Sequence, residues 1–222
     1  MCHDKILLRL KQAVEEMEAS FAEEAACEAL SEGIDPITAI NDGLARGMKI
    51  ISDRFDDGEA FIPHLLLAAE AFERGAAILT EELTPAEFTR LSLGSILICT
   101  VEGDIHDIGK NIVKMMLTAG GFEVIDLGRD VSNEIIIEKA LEYQVDIIST
   151  CALMRTTMYS QKDMIRALIE RGIRPRFKCM FGGPPVSEKW VKEIGGDAYA
   201  PTAGQAVKKA KQLMAQIKSQ QY

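Results

Sequence analysis

The sequence predicts a four-helix bundle followed by an α/β domain on a doubly wound, five-stranded parallel sheet, and three observations carry that prediction. Charge is uneven: residues 1–90 hold 19 acidic and 8 basic side chains, whereas residues 91–222 hold 15 and 17. The pattern type changes at the same place, from Ala/Leu/Glu-rich stretches with apolar residues three and four apart to short β-branched runs alternating with helical ones. Between them, Thr84-Pro85 and the polar run to Arg90 read as a linker, which places the domains at 1–88 and 92–222.

In the first part, Asp4 to about Met17 and Glu18 to about Ser31 have the composition of good helix formers. Gly33 is a C-terminal stop, and Asp35-Pro36 is an N-cap followed by proline at the first helical position. Ile37, Ile40, Leu44, Met48, Ile51 and Phe55 then form one apolar face, broken by Asp56-Asp57-Gly58. A fourth helix runs from Pro63 to about Leu83, with Leu66, Ala69, Phe72, Ala76 and Leu79 on its stripe. His64 sits in its first turn and reads as an ordinary structural histidine.

In the second part, the strand-like runs are Ser95–Thr100, Phe122–Leu127, Asp146–Thr150, Phe177–Phe181 and Asp197–Ala200. The helical stretches are Ile108–Thr118, Asn133–Tyr143, Thr157–Glu170, Ser187–Ile194 and Ala203–Lys218. Strict alternation implies parallel strands with crossover helices on both faces, in the flavodoxin-like order 2-1-3-4-5.

Composition narrows the function. A hydrophobic content of 47% and a charged content of 27% are those of a globular protein. The net charge of −9 argues against non-specific binding to nucleic acid or an anionic membrane. No run approaches the ~20 apolar residues of a membrane span, and the early charges Asp4, Lys5 and Arg9 do not make a signal peptide. Cys2, Cys27, Cys99, Cys151 and Cys179 are odd in number and never spaced as CxxC, which reads as free thiols in a reducing, cytoplasmic setting. With three scattered histidines, a zinc site is not expected.

In such sheets ligands bind beyond the carboxyl ends of the strands where the order reverses, between strands 1 and 3. Unusual polar residues gather there. Glu102–Lys110 follows strand 1, Cys151–Thr157 follows strand 3, and Gly182-Gly183-Pro184-Pro185 leaves strand 4. A P-loop fails on spacing, because Gly103 and Gly109 are separated by five residues, and Asn111 follows Lys110 where Ser or Thr is needed. GxGxxG is absent. What remains is Asp104-x-His106-x-x-Gly109. Residues i and i+2 of an extended loop share a side, so the aspartate can hold one imidazole nitrogen while the other binds a metal. Spacing alone equally allows a helix-capping aspartate beside a satisfied histidine.

The segment Gly103–Val113, GDIHDIGKNIV, resembles the corrinoid-binding motif of cobalamin-dependent methyltransferases and mutases. The resemblance implies a corrinoid (cobalamin) cofactor whose cobalt is bound by His106, with Asp104 as the hydrogen-bond partner and Gly109 leaving room for the buried nucleotide tail. It places the SxL element of that family on Cys151-Ala152-Leu153 and its GG element on Gly182-Gly183. It also puts a proton-sharing hydroxyl on Thr157. Asp35-Pro36, Gly43-Leu44, Gly47-Met48, Phe55, Gly58-Glu59 and Phe61-Ile62-Pro63 resemble the helical cap of small corrinoid proteins in methylamine, methanol, betaine and aryl-methyl-ether methyltransferase systems. Such a cap would shield the upper face of the corrin.

The chain departs from that pattern at Cys151, where the family has a serine that contacts the tail. A thiol is a larger and weaker donor. Ser149, two residues earlier, faces the same side and could substitute, or Cys151 could simply be a small packing residue. The implied activity is anaerobic one-carbon metabolism as a methyl carrier, a component of an enzyme system more than a complete enzyme. Its partners would be a substrate-specific methyltransferase, a second methyltransferase that passes the group to folate or a thiol, and a corrinoid reductive-activation protein. The alternative is the cobalamin subunit of a carbon-skeleton mutase, which usually lacks such a bundle. A cobalamin-responsive regulator needs a DNA-binding module, for which the acidic bundle leaves no place.

Overall fold

The computed structural model describes residues 2–81 and 92–220 of the chain. The expected linker, Thr84–Arg90, lies outside the described residues. Two compact units divide the chain, with the main boundary between residues 92 and 93.

The first unit is helical: α1 (Cys2–Glu15), α2 (Ala19–Ser31), α3 (Pro36–Thr38), a π-helical segment (Ala39–Leu44), α4 (Ala45–Asp56) and α5 (Ile62–Thr80). Met17, in the left-handed region at φ 61°, turns the chain between α1 and α2. Asp35 caps α3 by accepting from the Thr38 amide at 2.9 Å and the Thr38 hydroxyl at 3.0 Å, and Pro36 follows at the first turn. The Phe61 N–H donates to Nδ1 of His64 at 3.0 Å, so that histidine serves the start of α5.

Two expectations change here. The third predicted helix is divided by a π segment, and Gly43 within it and Gly47 in α4 lie against α1. A Cβ at Gly43 would be 2.8 Å from Cβ of Leu10, and one at Gly47 would be 2.5 Å from the Lys11 carbonyl. The stripe of the last bundle helix keeps Ala69, Phe72 and Leu79 but has Leu65 and Gly75 in place of Leu66 and Ala76. Leu66 is exposed, and the buried face is Leu65, Ala68, Ala69, Phe72, Gly75 and Leu79. Leu66 joins Phe61, Ile62 and Leu67 as exposed apolar side chains near the start of α5.

The second unit runs β1 (Ser95–Thr100), α6 (Ile108–Ala119), β2 (Glu123–Asp126), α7 (Asn133–Glu142), β3 (Ile147–Cys151), α8 (Arg155–Glu170), β4 (Lys178–Gly182), α9 (Glu188–Ile194), β5 (Ala198–Ala200) and α10 (Ala203–Gln220). The sheet order is β2-β1-β3-β4-β5 and every pairing is parallel. Its strands are almost continuously apolar because helices cover both faces. Leu97, Cys99, Ile148, Cys179 and Phe181 pack on one side with Ile136 of α7 and Met164 of α8. Ile96, Ile98, Ile147 and Met180 pack on the other with Leu117 of α6 and Leu213 of α10. Thr100 is paired with Cys151, and Cys151 with Gly182, so the exits of the three central strands lie side by side.

Candidate functional site

The loop between β1 and α6 carries the motif. The Asp104 side chain is fully buried, and both of its oxygens are occupied. Oδ1 accepts from the His106 amide at 3.1 Å and faces Nδ1 of His106 at 2.9 Å. Oδ2 accepts from the Leu153 amide at 2.7 Å, the Met154 amide at 3.4 Å and the Thr157 hydroxyl at 2.7 Å. Burial alone would raise the Asp104 pKa. The bonds from Thr157, Leu153 and His106 outweigh it and bring the carboxyl from 3.8 to about 2.

That ionised carboxylate accepts only, so Nδ1 of His106 carries the proton and donates it. In the neutral ring Nε2 then holds the lone pair. The ring remains 46% exposed, and the side chains of Ile105 and Ile108, near it in the chain, and of Leu153 and Met154, whose amides bond Asp104, are exposed too. A half-open imidazole with a buried carboxylate on its far nitrogen, amid apolar side chains, fits the role of a cobalt ligand for a large, largely apolar macrocycle.

The other predicted positions fall around this pair. Thr157 is buried on the first turn of α8, and Leu153 uses its amide on Asp104. Cys151 ends β3, half-buried, and burial pushes its thiol up to about 12, so it is neutral. Ser149 does share its side of β3.

Gly182 and Gly183 answer to packing. A Cβ on Gly182 would be 3.1 Å from the Ala200 carbonyl oxygen. Gly183 has φ 119°, and its Cβ would be 1.9 Å from the Ala152 carbonyl oxygen. Gly109 is different: a Cβ there meets nothing within 4 Å, so the helix start is open beside the motif.

The contribution of β2 escapes sequence reasoning, because the exits of strands 1, 3 and 4 carry the unusual polar residues and the glycine pair. Lys110, 2% exposed, places Nζ 2.6 and 2.7 Å from the two oxygens of Asp126 at the end of β2. Burial opposes ionisation of Asp126, but Lys110 and the Gly128 amide hold its carboxyl below the usual range. The signal was present in the run Asp126-Leu127-Gly128-Arg129-Asp130.

A family described as "B12 binding domain" matches residues 94–210, and a second family with the same description matches residues 6–80. The chain is 44% identical to trimethylamine corrinoid protein 2 of Methanosarcina acetivorans, over 94% of this chain and 96% of that protein. It is 46% identical to dimethylamine corrinoid protein 2 of the same organism, over 86% and 88%. In structure it is similar to the methanol:cobalamin methyltransferase complex of Methanosarcina barkeri, with a TM-score of 0.83 and 33% identity, covering 96% of this chain and 80% of that one. The Asp104–His106 pair and the open turn at Gly109 therefore stand in a cofactor-binding domain that is matched nearly end to end, and the chain belongs to the corrinoid proteins with B12-binding domains.

Proposed function

We propose that the chain is a methyl carrier, its corrinoid holding the group on cobalt between a substrate:corrinoid methyltransferase and a second methyltransferase that delivers it to folate or a thiol. The observation that carries this reading is the 2.9 Å contact between Nδ1 of His106 and buried Asp104, which leaves Nε2 as a metal donor. His106 would ligate the cobalt and Asp104 would orient it. Gly109, Cys151, Leu153, Thr157, Gly182 and Gly183 would line the cofactor's lower side and tail.

The bound corrinoid supplies a nucleophilic cobalt that accepts and releases the methyl group. The chain's own residues set the basicity of its ligand. Asp104 strengthens Nε2 as a donor by holding the Nδ1 proton. Thr157, donating to the other oxygen at 2.7 Å, keeps Asp104 ionised for that role. Relatives named for trimethylamine and dimethylamine make a methylamine the first donor to test, and the methanol complex supports a separate methyltransferase as partner. A reductive-activation protein would return oxidised cobalt to service. None of these relatives favours the mutase reading.

The test is methylation of the reduced holo-protein by methylamines or methanol, with and without the methyltransferase encoded beside it. Rapid methylation is expected only with the partner. Enzymatic methylation by the isolated chain would contradict the carrier reading.

A further inference from the structure

We infer that Asp130 is a positioning residue for the Asp104–His106 pair. It lies in the loop between β2 and α7, where the chain runs beside the exit of β1. There the Val131 amide donates to the Thr100 carbonyl at 3.2 Å, and Val101 bridges Val131. Between the Ile98–Asp126 and Val101–Val131 pairs, the four residues Leu127 to Asp130 stand opposite only Cys99 and Thr100, so two extra residues are accommodated there. To fit them, Asp130 adopts φ 55°, in the left-handed region that L side chains other than Asn and Asp rarely enter.

This unusual backbone is turned to one purpose. The Asp130 amide lies 3.1 Å from the Asp104 carbonyl oxygen and 2.9 Å from the Thr100 hydroxyl oxygen. That hydroxyl, on a fully buried side chain, itself donates to the same Asp104 carbonyl. The Asp130 carboxylate reaches back and accepts from the Gly103 amide at 2.6 Å, and Gly103 is itself left-handed at φ 80°. Asp130 thus grips the chain on both sides of the Asp104 α-carbon, through the Gly103 amide one residue upstream and the Asp104 carbonyl. The Asp104 side chain leaves that fixed backbone already aimed at His106, Leu153 and Thr157. None of the contacts described for Asp130 involves the imidazole, so it acts through Asp104. A backbone outlier held by several converging bonds beside a site is how local strain is put to functional use.

The residue type separates the two functions. Glycine accepts φ 55° without strain but lacks the carboxylate; asparagine accepts the angle and keeps an acceptor oxygen. Variants D130G and D130N are therefore compared with the parent chain by three readouts. Nitrogen-15 shifts of His106 in the apo-protein at fixed pH report whether Nδ1 holds the proton. Corrinoid titration gives Kd, and thermal melting gives Tm. D130G is expected to keep its Tm, lose the single-tautomer signature of His106 and bind corrinoid roughly tenfold or more weakly, in the range typical of lost partners behind a metal ligand. D130N is expected to restore both.

A D130G protein with the parental tautomer and Kd would overturn the inference. So would equal losses in D130G and D130N that follow a fall in Tm, since that is a purely structural effect. The inference rests on His106 being the cobalt ligand. If the parent holo-protein shows no nitrogen coupling from His106 in its cobalt(II) EPR spectrum, that reading fails, whereas the apo-protein tautomer measurement still judges Asp130.

Discussion

Asp104 carries its charge in the folded chain because five donors converge on a carboxyl that burial alone would neutralise. Its folded pKa of about 2 lies below the ordinary 3.8. The stability gained from ionising it is therefore fully present above about pH 4 and is lost as pH falls towards 2. Urea unfolding of the apo-protein from pH 5 to pH 2 measures this. The parent should lose stability more steeply than Asp104→Asn, and parallel curves would contradict the bonding described. Cys151 makes a second residue-scale prediction. Its thiol is neutral and a weak donor at the strand exit, so Cys151→Ser should bind corrinoid as well or better. A neutral hydrogen bond contributes about 0.5–1.5 kcal/mol, so the gain should not exceed roughly tenfold. A marked loss of affinity in the titration would mean that the groove is adapted to sulfur.

Among elements, the turns set how closely the strands and helices meet, and glycines mark the limits. Gly183 leaves β4 with its α-carbon against the Ala152 carbonyl, whereas Gly109 opens α6 onto free space. Gly183→Ala should destabilise the apo-protein by well over about 1 kcal/mol. Gly109→Ala should stay within about 0.5 kcal/mol of the parent while weakening corrinoid binding. Denaturant midpoints and corrinoid titrations check both, and equal stability of the two variants would contradict the packing.

The same contrast explains what the sequence could and could not disclose. Ser95–Thr100 was legible as a strand because β-branched residues run without a polar break, and the order of the sheet follows from the alternation of elements. Leu66 was misplaced because Leu65-Leu66-Leu67 offers three equivalent phases. Which leucine faces inward depends on the other bundle helices. The π segment stayed hidden because it answers to α1, whose Leu10 crowds Gly43. His106, Asp104 and Thr157 could be named from a motif, but Asp130 could not. Its importance lies in a positive φ and in the β2 exit coming to lie beside β1, and neither is a pattern of residue types.

On the scale of the whole molecule, an acidic helical unit and a nearly neutral cofactor-binding unit share one chain. Residues 1–90 carry a net charge of −11 and residues 91–222 a net of +2. Among the described residues no helix is long and apolar enough to cross a membrane. The site takes its parts from β1, β3 and the starts of α6 and α8, with the β2 exit holding the loop from behind. One loop, between β1 and α6, thus supplies both the imidazole and the carboxylate that tunes it. All of this converges on one atom, Nε2 of His106, and the most direct measurement addresses that atom. The holo-protein is prepared in the cobalt(II) state, with natural-abundance and nitrogen-15 histidine, in the parent and in His106→Ala. The account predicts nitrogen hyperfine coupling that changes with the isotope in the parent and is absent from His106→Ala. Coupling that is indifferent to labelled histidine, or that persists unchanged in His106→Ala, would contradict it.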